Sequence, residues 1–205
     1  MKPLVLIGGG GHARSVVAML EGTRPIAGYT DAAPTGLPAP YLGTDSALER
    51  HPAGYETLVT VGFGHGASLT ARSAIFNRFE ATACEPAIAP SAWVSRSAVI
   101  GRGTAIMARA AVNACRIGAN VVINTGAVIE HDCVIEDSCF IGPGAIICGE
   151  ARIGAGAFIG AGAIIREGVS ITPGTTVGMG AVVTASISEP ATYAGNPARK
   201  IDKKS

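Results

Sequence analysis

His131 stands between two carboxylates, in Ile129-Glu130-His131-Asp132-Cys133. An imidazole titrates near neutral pH, and a neighbouring carboxylate orients the ring and raises its basicity, so this triplet has the chemistry of a general base. The alternative is a solvated histidine on a turn, and the residue types alone leave both readings open. A second stretch with chemical character lies near the start. Leu4 to Ile7 reads as a buried strand, Gly8-Gly9-Gly10-Gly11-His12 follows at once, and Ala13 to Leu20 reads as a helix with Val16, Val17 and Leu20 inward. Gly8-x-Gly10-x-x-Ala13 fits the relaxed dinucleotide fingerprint. Glycines let the main chain approach phosphate oxygens, and the helix N-terminus offers them free N–H groups. The alternative here is a tight strand–helix turn with no ligand.

The elements that hold His131 announce themselves by a period. Isoleucine or valine recurs every sixth residue from Ile88 to Val112, and after one five-residue step the series runs from Ile117 to Val183, seventeen anchors in all. The residue four after an anchor is small, as at Ala127, Cys133, Cys139, Ala145 and Ala151, and glycine often follows the anchor directly. A helix repeats near 3.6 and a strand near 2, so neither explains a period of six over about a hundred residues. Short strands joined by tight turns do. Three such sides make a coil of eighteen residues, and stacked coils form a β-solenoid. Counted in threes, the anchors place Ala114 and Gly149 below and above His131, which leaves a recess beside the ring.

The glycine turn sits in an α/β context. A second strand, Ile26 to Thr30, delivers Asp31 to about where an acid meets a ribose or base. A third, Thr57 to Val61, ends in Gly62-Phe63-Gly64-His65. Pro34 to Pro40 is a loop, a short helix begins near Ser46, and Leu69 to Phe79 reads as a helix with Ile75, Phe76 and Phe79 inward. Only about 85 residues precede the repeats, and a full dinucleotide fold needs two halves, so this half suits a mononucleotide. The reading divides the chain into an α/β unit (1–85), the solenoid (86–187) and a C-terminal cap or tail (188–205). The tail is expected to be irregular and to cover the open end of the solenoid.

Composition bounds the rest. A net charge of +1 argues against an electrostatic nucleic-acid binder. The five cysteines show no C-x-x-C spacing and read as buried free thiols of a reducing cytoplasm. The N-terminal apolar run is too short for a secretory signal, and the apolar stretches are interrupted, so no membrane span is expected.

Together the Gly-Gly-Gly-Gly-His turn, the Ile-Glu-His-Asp segment, the repeats and the final Gly195-Asn196-Pro197-Ala198 resemble one family. It is the sugar-nucleotide and sialic-acid acetyltransferase family of the left-handed β-helix hexapeptide-repeat acyltransferases. The resemblance implies an N-terminal half-Rossmann (βαβαβ) α/β domain followed by a left-handed parallel β-helix. It implies an acetyl-CoA-dependent N-acetyltransferase, without a metal, acting on a nucleotide-linked amino sugar of the UDP-4-amino-4,6-dideoxy type. His131 is then the general base and Asp132 the carboxylate beside it. Gly10, Gly11, His12, Asp31 and Gly62 match positions that contact the nucleotide sugar, and Gly149, Ala161 and Met179 match the acetyl-CoA groove. A homotrimer with its site between subunits is implied. O-acetylation of a sugar or sialic acid is the alternative within the fold, and a non-catalytic nucleotide-sugar scaffold is a further one. A hexapeptide-repeat carbonic anhydrase would need several histidine ligands, and the repeats hold one histidine. Phe140 stands where some relatives carry a second histidine, and Ala32 where some carry a second acid.

Overall fold

The computed structural model describes residues 2–49, 54–62 and 67–201. Three parallel strands, β1 (Leu4–Ile7), β2 (Ile26–Thr30) and β3 (Glu56–Val59), form a sheet of order β2-β1-β3. Helix α1 (Gly11–Leu20) follows β1, α2 (Ser46–Glu49) lies between β2 and β3, and α3 (Ala67–Phe79) follows β3. β1 is central and buried along its length, which accounts for its unbroken apolar run.

The expected elements are present, with differences at their ends and inward faces, and α3 begins at Ala67 rather than Leu69 and β3 at Glu56 rather than Thr57. α1 starts two residues early, because Gly10 caps it and its carbonyl accepts from the Arg14 N–H. Its inward side carries Met19, and Val17 is only half-buried. β3 ends at Val59 rather than Val61, and the Thr60 that follows donates its N–H to the Ile7 carbonyl at 2.8 Å and its hydroxyl to the Gly8 carbonyl at 2.6 Å. In α3 the buried positions are Leu69, Arg72, Phe76 and Phe79. Ile75 instead borders a cleft. Of the run Gly62-Phe63-Gly64-His65, residues 63–65 lie outside the described residues, as does Arg50.

Seventeen two-residue strands then run from Ala87–Ile88 to Val182–Val183, and each ends on one of the seventeen anchors. They stack in parallel as three faces. The first face begins with Ala87–Ile88, the second with Trp93–Val94 and the third with Val99–Ile100. Anchor sits on anchor throughout, for example Ile129 on Val112 and Ile147 on Ile129. The five-residue step is absorbed at one corner, where Ile117 still pairs with Ile100 and Ile135 with Ile117. The residue three after an anchor is left-handed at most corners, as at Gly126, Asp132, Gly144 and Glu150, and the shortened corner after Val112 lacks that residue. The small fourth residue is buried, and Cys133 and Cys139 occupy that position. Burial pushes their thiols up to about 11 and about 12, so these cysteines are packing groups.

The α/β unit leans on the first face. Leu6, Ala13, Val16 and Leu20 share one core with Ala87, Ala105, Val122 and Phe140 of that face. The C-terminal segment is more regular than its sequence suggests. Thr192–Ala194 pairs in parallel with Thr176–Val177 and seats Tyr193 on Val177, and Arg199–Lys200 returns antiparallel to it. It covers the open edge of the first face by extending it. No described helix is long and apolar enough to cross a membrane.

Because Ile147 is fully buried in the anchor column, Ile147→Ala removes packing that coils on both sides share. The expected loss is about 2–5 kcal/mol, read as a lower midpoint in chemical denaturation.

Candidate active site

Two places in the structure have the makings of a site. The first is a corner of the solenoid. His131 turns between the second and third faces, directly above Ala114 and below Gly149. The Asp132 N–H donates to the Ala114 carbonyl at 2.7 Å, and the Glu150 N–H donates to the His131 carbonyl at 3.0 Å. His131 Nδ1 lies 2.9 Å from Asp132 Oδ2. A carboxylate accepts, so Nδ1 carries the proton and Nε2 is left as the acceptor. The ring leans on Gly149, where a Cβ would stand 2.8 Å from both Cε1 and Nε2. The small neighbour expected there is thus a requirement of the ring's position.

The electrostatics of this corner favour a strong base. The hydrogen bond to Asp132 raises the imidazole pKa above its ordinary value, and the charges of Asp132, Glu130 and Glu150 add to it. Glu130 is itself tied to the Asn113 amide at 3.4 Å. Glu150 was not singled out from the sequence. It stands one coil above Asp132, eighteen residues on, so its signal lay in the same spacing that identified Gly149.

Ala161 and Met179 lie elsewhere. They stack one coil apart on the corner between the first and second faces, where the Gly180 N–H donates to the Ala161 carbonyl at 2.9 Å. Met179 is 81% exposed. The three groove positions taken from the resemblance are therefore divided within one chain. Gly149 shares the corner of His131, and the other two stand at the opposite end of the second face. Phe140 lies on the first face, buried and stacked on Phe158 with ring centroids 4.8 Å apart.

The second place is a cleft of about 550 Å³ at the C-terminal ends of β1 and β2 and the turn after β3. Gly10, Asp31 and Gly62 line it, together with Asp45 and Arg78, which the sequence reading passed over. Gly11 and His12 are outside its lining. The glycines divide by cause. A Cβ on Gly8 would meet Val61, and one on Gly9 would meet the Tyr29 ring and Thr35, so these two are set by packing. Among the described residues, a Cβ on Gly10 or Gly62 would meet nothing within 4 Å, so those glycines keep space open. Asp31 pins the loop, its two oxygens accepting from the Gly9 and Ala32 N–H groups at 2.8 and 2.7 Å. His12 is desolvated, and burial with the nearby Arg72 charge drives its pKa down to about 3, so it stays neutral. Among the described residues, no group of three or more His, Cys, Asp or Glu is arranged to hold a metal ion.

Comparison with known proteins agrees with the fold. The bacterial transferase hexapeptide (six repeats) family matches residues 114–149, 132–167 and 150–185. No curated protein matches the chain. A mutant of perosamine N-acetyltransferase from Caulobacter crescentus, solved with CoA and GDP-perosamine, is 34% identical, with a TM-score of 0.90 over 99% of this chain and 98% of its own. The acetyltransferase domain of PglB from Neisseria gonorrhoeae, solved with acetyl coenzyme A, is 33% identical, with a TM-score of 0.90 over 98% of this chain and 99% of its own. The chain belongs to the sugar-nucleotide acetyltransferases of the hexapeptide-repeat family. Its solenoid is the left-handed parallel β-helix of that family. WeeI from Acinetobacter baumannii, 20% identical with a TM-score of 0.71 over 98% of this chain and all of its own, shares the fold.

The division among the glycines is testable by melting. Gly9→Ala is expected to lose about 1–3 kcal/mol through overpacking against Tyr29. Gly10→Ala is expected to leave the melting temperature unchanged and to weaken binding in the cleft.

Proposed function

We propose that the protein transfers the acetyl group of acetyl-CoA to the amine of a nucleotide-linked amino sugar, with His131 as general base. The observation that carries this reading is the His131–Asp132 contact at 2.9 Å on an exposed corner, with Nε2 left as acceptor. The likeness to an enzyme solved with CoA and GDP-perosamine, over 99% of the chain at 34% identity, supports the substrate class. In this reading the sugar is of the 4-amino-4,6-dideoxy type.

The chemistry follows from the donor set. A neutral amine attacks the thioester carbonyl, and its N–H proton passes to His131 Nε2 as the C–N bond forms. The carbon–sulfur bond then breaks, and the thiolate of CoA leaves and takes the proton from the His131 imidazolium, which restores the base. Asp132 holds the tautomer and favours the imidazolium that forms. The amide product and free CoA account for every atom. The cleft of the α/β unit holds the nucleotide, with the space at Gly10 and Gly62 left to its phosphates.

In this reading three copies assemble around the second face. Its outward residues, Trp93, Ala111, Val128, Ile146, Ile164 and Val182, are all apolar, and Trp93 is 59% exposed. The third face, by contrast, carries Arg116 and Arg152. Three prisms that turn one face to a threefold axis bring the two ends of that face together, one from each neighbour. The His131 corner of one copy then meets the Ala161 and Met179 corner of the next. This arrangement reunites the groove positions that a single chain keeps apart.

Thiol release from acetyl-CoA, measured against a panel of amino and non-amino nucleotide sugars, tests the activity. Turnover on an amino sugar that falls at least about a hundredfold in His131→Ala is expected. Turnover on hydroxyl acceptors alone would replace the reading with O-acetylation, and nucleotide binding without any thiol release would replace it with a scaffold.

The pH profile carries its own sign. The base works when neutral, so the rate is lost as pH falls through a His131 pKa that Asp132 has raised. Asp132→Asn removes that support, and the acidic limb of kcat/KM is expected to move to lower pH.

Light scattering tests the assembly. A trimer is expected, and Ile146→Asp with Ile164→Asp is expected to give inactive monomers. A wild-type monomer with full activity would overturn the shared site.

A further inference from the structure

The cleft of the α/β unit contains a charged pair that the transfer chemistry does not use. Asp45 Oδ2 lies 3.9 Å from Arg78 Nη1, and both residues line the cleft. Asp45 arrives on the loop that ends at α2, and Arg78 on the last turn of α3. Each is held from behind. Asp45 Oδ1 accepts from the Thr30 hydroxyl at 2.7 Å, which fixes the carboxylate plane at the end of β2. The Arg78 guanidinium lies over the Phe79 ring, 5.4 Å from its centroid. Asp31, the other carboxylate of the cleft, has both oxygens engaged by main-chain N–H groups. Asp45 has one oxygen on the Thr30 hydroxyl and the other toward Arg78, and each keeps a lone pair that a ligand can meet.

We propose that Asp45 and Arg78 read the base of the nucleotide and select guanine. This inference rests on the reading of the cleft as a nucleotide-sugar site. The pairing edge of guanine presents the O6 acceptor beside two donors, N1–H and the N2 amino group. A guanidinium next to a carboxylate meets that edge in the same order, the cation donating to O6 and the carboxylate accepting from N1 and N2. Uracil presents one donor between two carbonyl oxygens. A carboxylate facing that edge sets one of its oxygens against a carbonyl oxygen, an uncompensated repulsion between acceptors. Adenine and cytosine offer one exocyclic amino donor beside a ring nitrogen acceptor, so the other carboxylate oxygen is again set against an acceptor. A cleft of about 550 Å³ has room for a purine nucleoside diphosphate. This selection departs from the uridine carrier expected from the sequence.

Calorimetric titration of the full chain with GDP and UDP is the test, with CoA as an independent ligand. GDP is expected to bind at least about tenfold more tightly than UDP, the scale of a two-point contact to a base edge. In Asp45→Asn and in Arg78→Met that preference is expected to shrink to within about threefold, with UDP affinity little changed. UDP binding as tight as GDP in the wild type would overturn the base assignment and leave the nucleotide site standing. If Asp45→Asn fails to fold, Arg78→Met decides, and a full GDP preference in it would overturn the proposal. Failure of both nucleotides to bind while CoA still binds would instead overturn the nucleotide-sugar reading, and this inference with it.

Discussion

The structure depends on the stacking of one coil on the next. Adjacent coils sit about 4.8 Å apart because main-chain N–H groups of one bond to carbonyls of its neighbour. At that spacing there is no room for a side chain between the coils at certain corners. A Cβ on Gly142 would stand 2.6 Å from the Ala161 nitrogen, and one on Gly160 would stand 2.6 Å from that of Met179. The anchors fill the interior, the small residues pass beneath them, and left-handed residues turn the corners. The reacting group inherits this geometry. His131 has its place because Gly149, one coil above, has no side chain.

The same regularity gives the three faces different work. The first face is covered, since α1 and the small sheet pack on it through Val16, Leu20, Val122 and Phe140. The third face carries arginines and is solvated. The second is an apolar ladder from Trp93 to Val182 that no described part of the chain covers. A single chain thus has a base at one end of that ladder and the open Ala161 and Met179 corner at the other.

Two of the chain's four histidines have surroundings that give them opposite characters. His131 is exposed and ringed by Glu130, Asp132 and Glu150, and its pKa rises. His12 is half-buried, and desolvation with the nearby cation of Arg72 takes its pKa down to about 3. Both stand in stretches that drew attention as sequence. Only the first has the charge environment of a proton acceptor at neutral pH, and the second, on the first turn of α1, stays neutral.

The sequence by itself determined the solenoid, the count of its strands and the neighbours of His131. It could do so because a strict period converts chain distance into spatial distance: eighteen residues is one coil, wherever it is counted. The strand, glycine turn and helix at the N-terminus were legible for a similar reason, since each is a local pattern. The tertiary structure decided what the period does not reach. Met19 faces inward where Val17 was expected, and β3 stops before Thr60, whose hydroxyl meets the Gly8 carbonyl. Asp45 and Arg78 come from a loop and a helix more than thirty residues apart, and folding alone brings them to one cleft. The separation of Gly149 from Ala161 and Met179 was equally hidden, because residues that match a single groove lie on two corners of a prism, and only the folded coil shows which face lies between them.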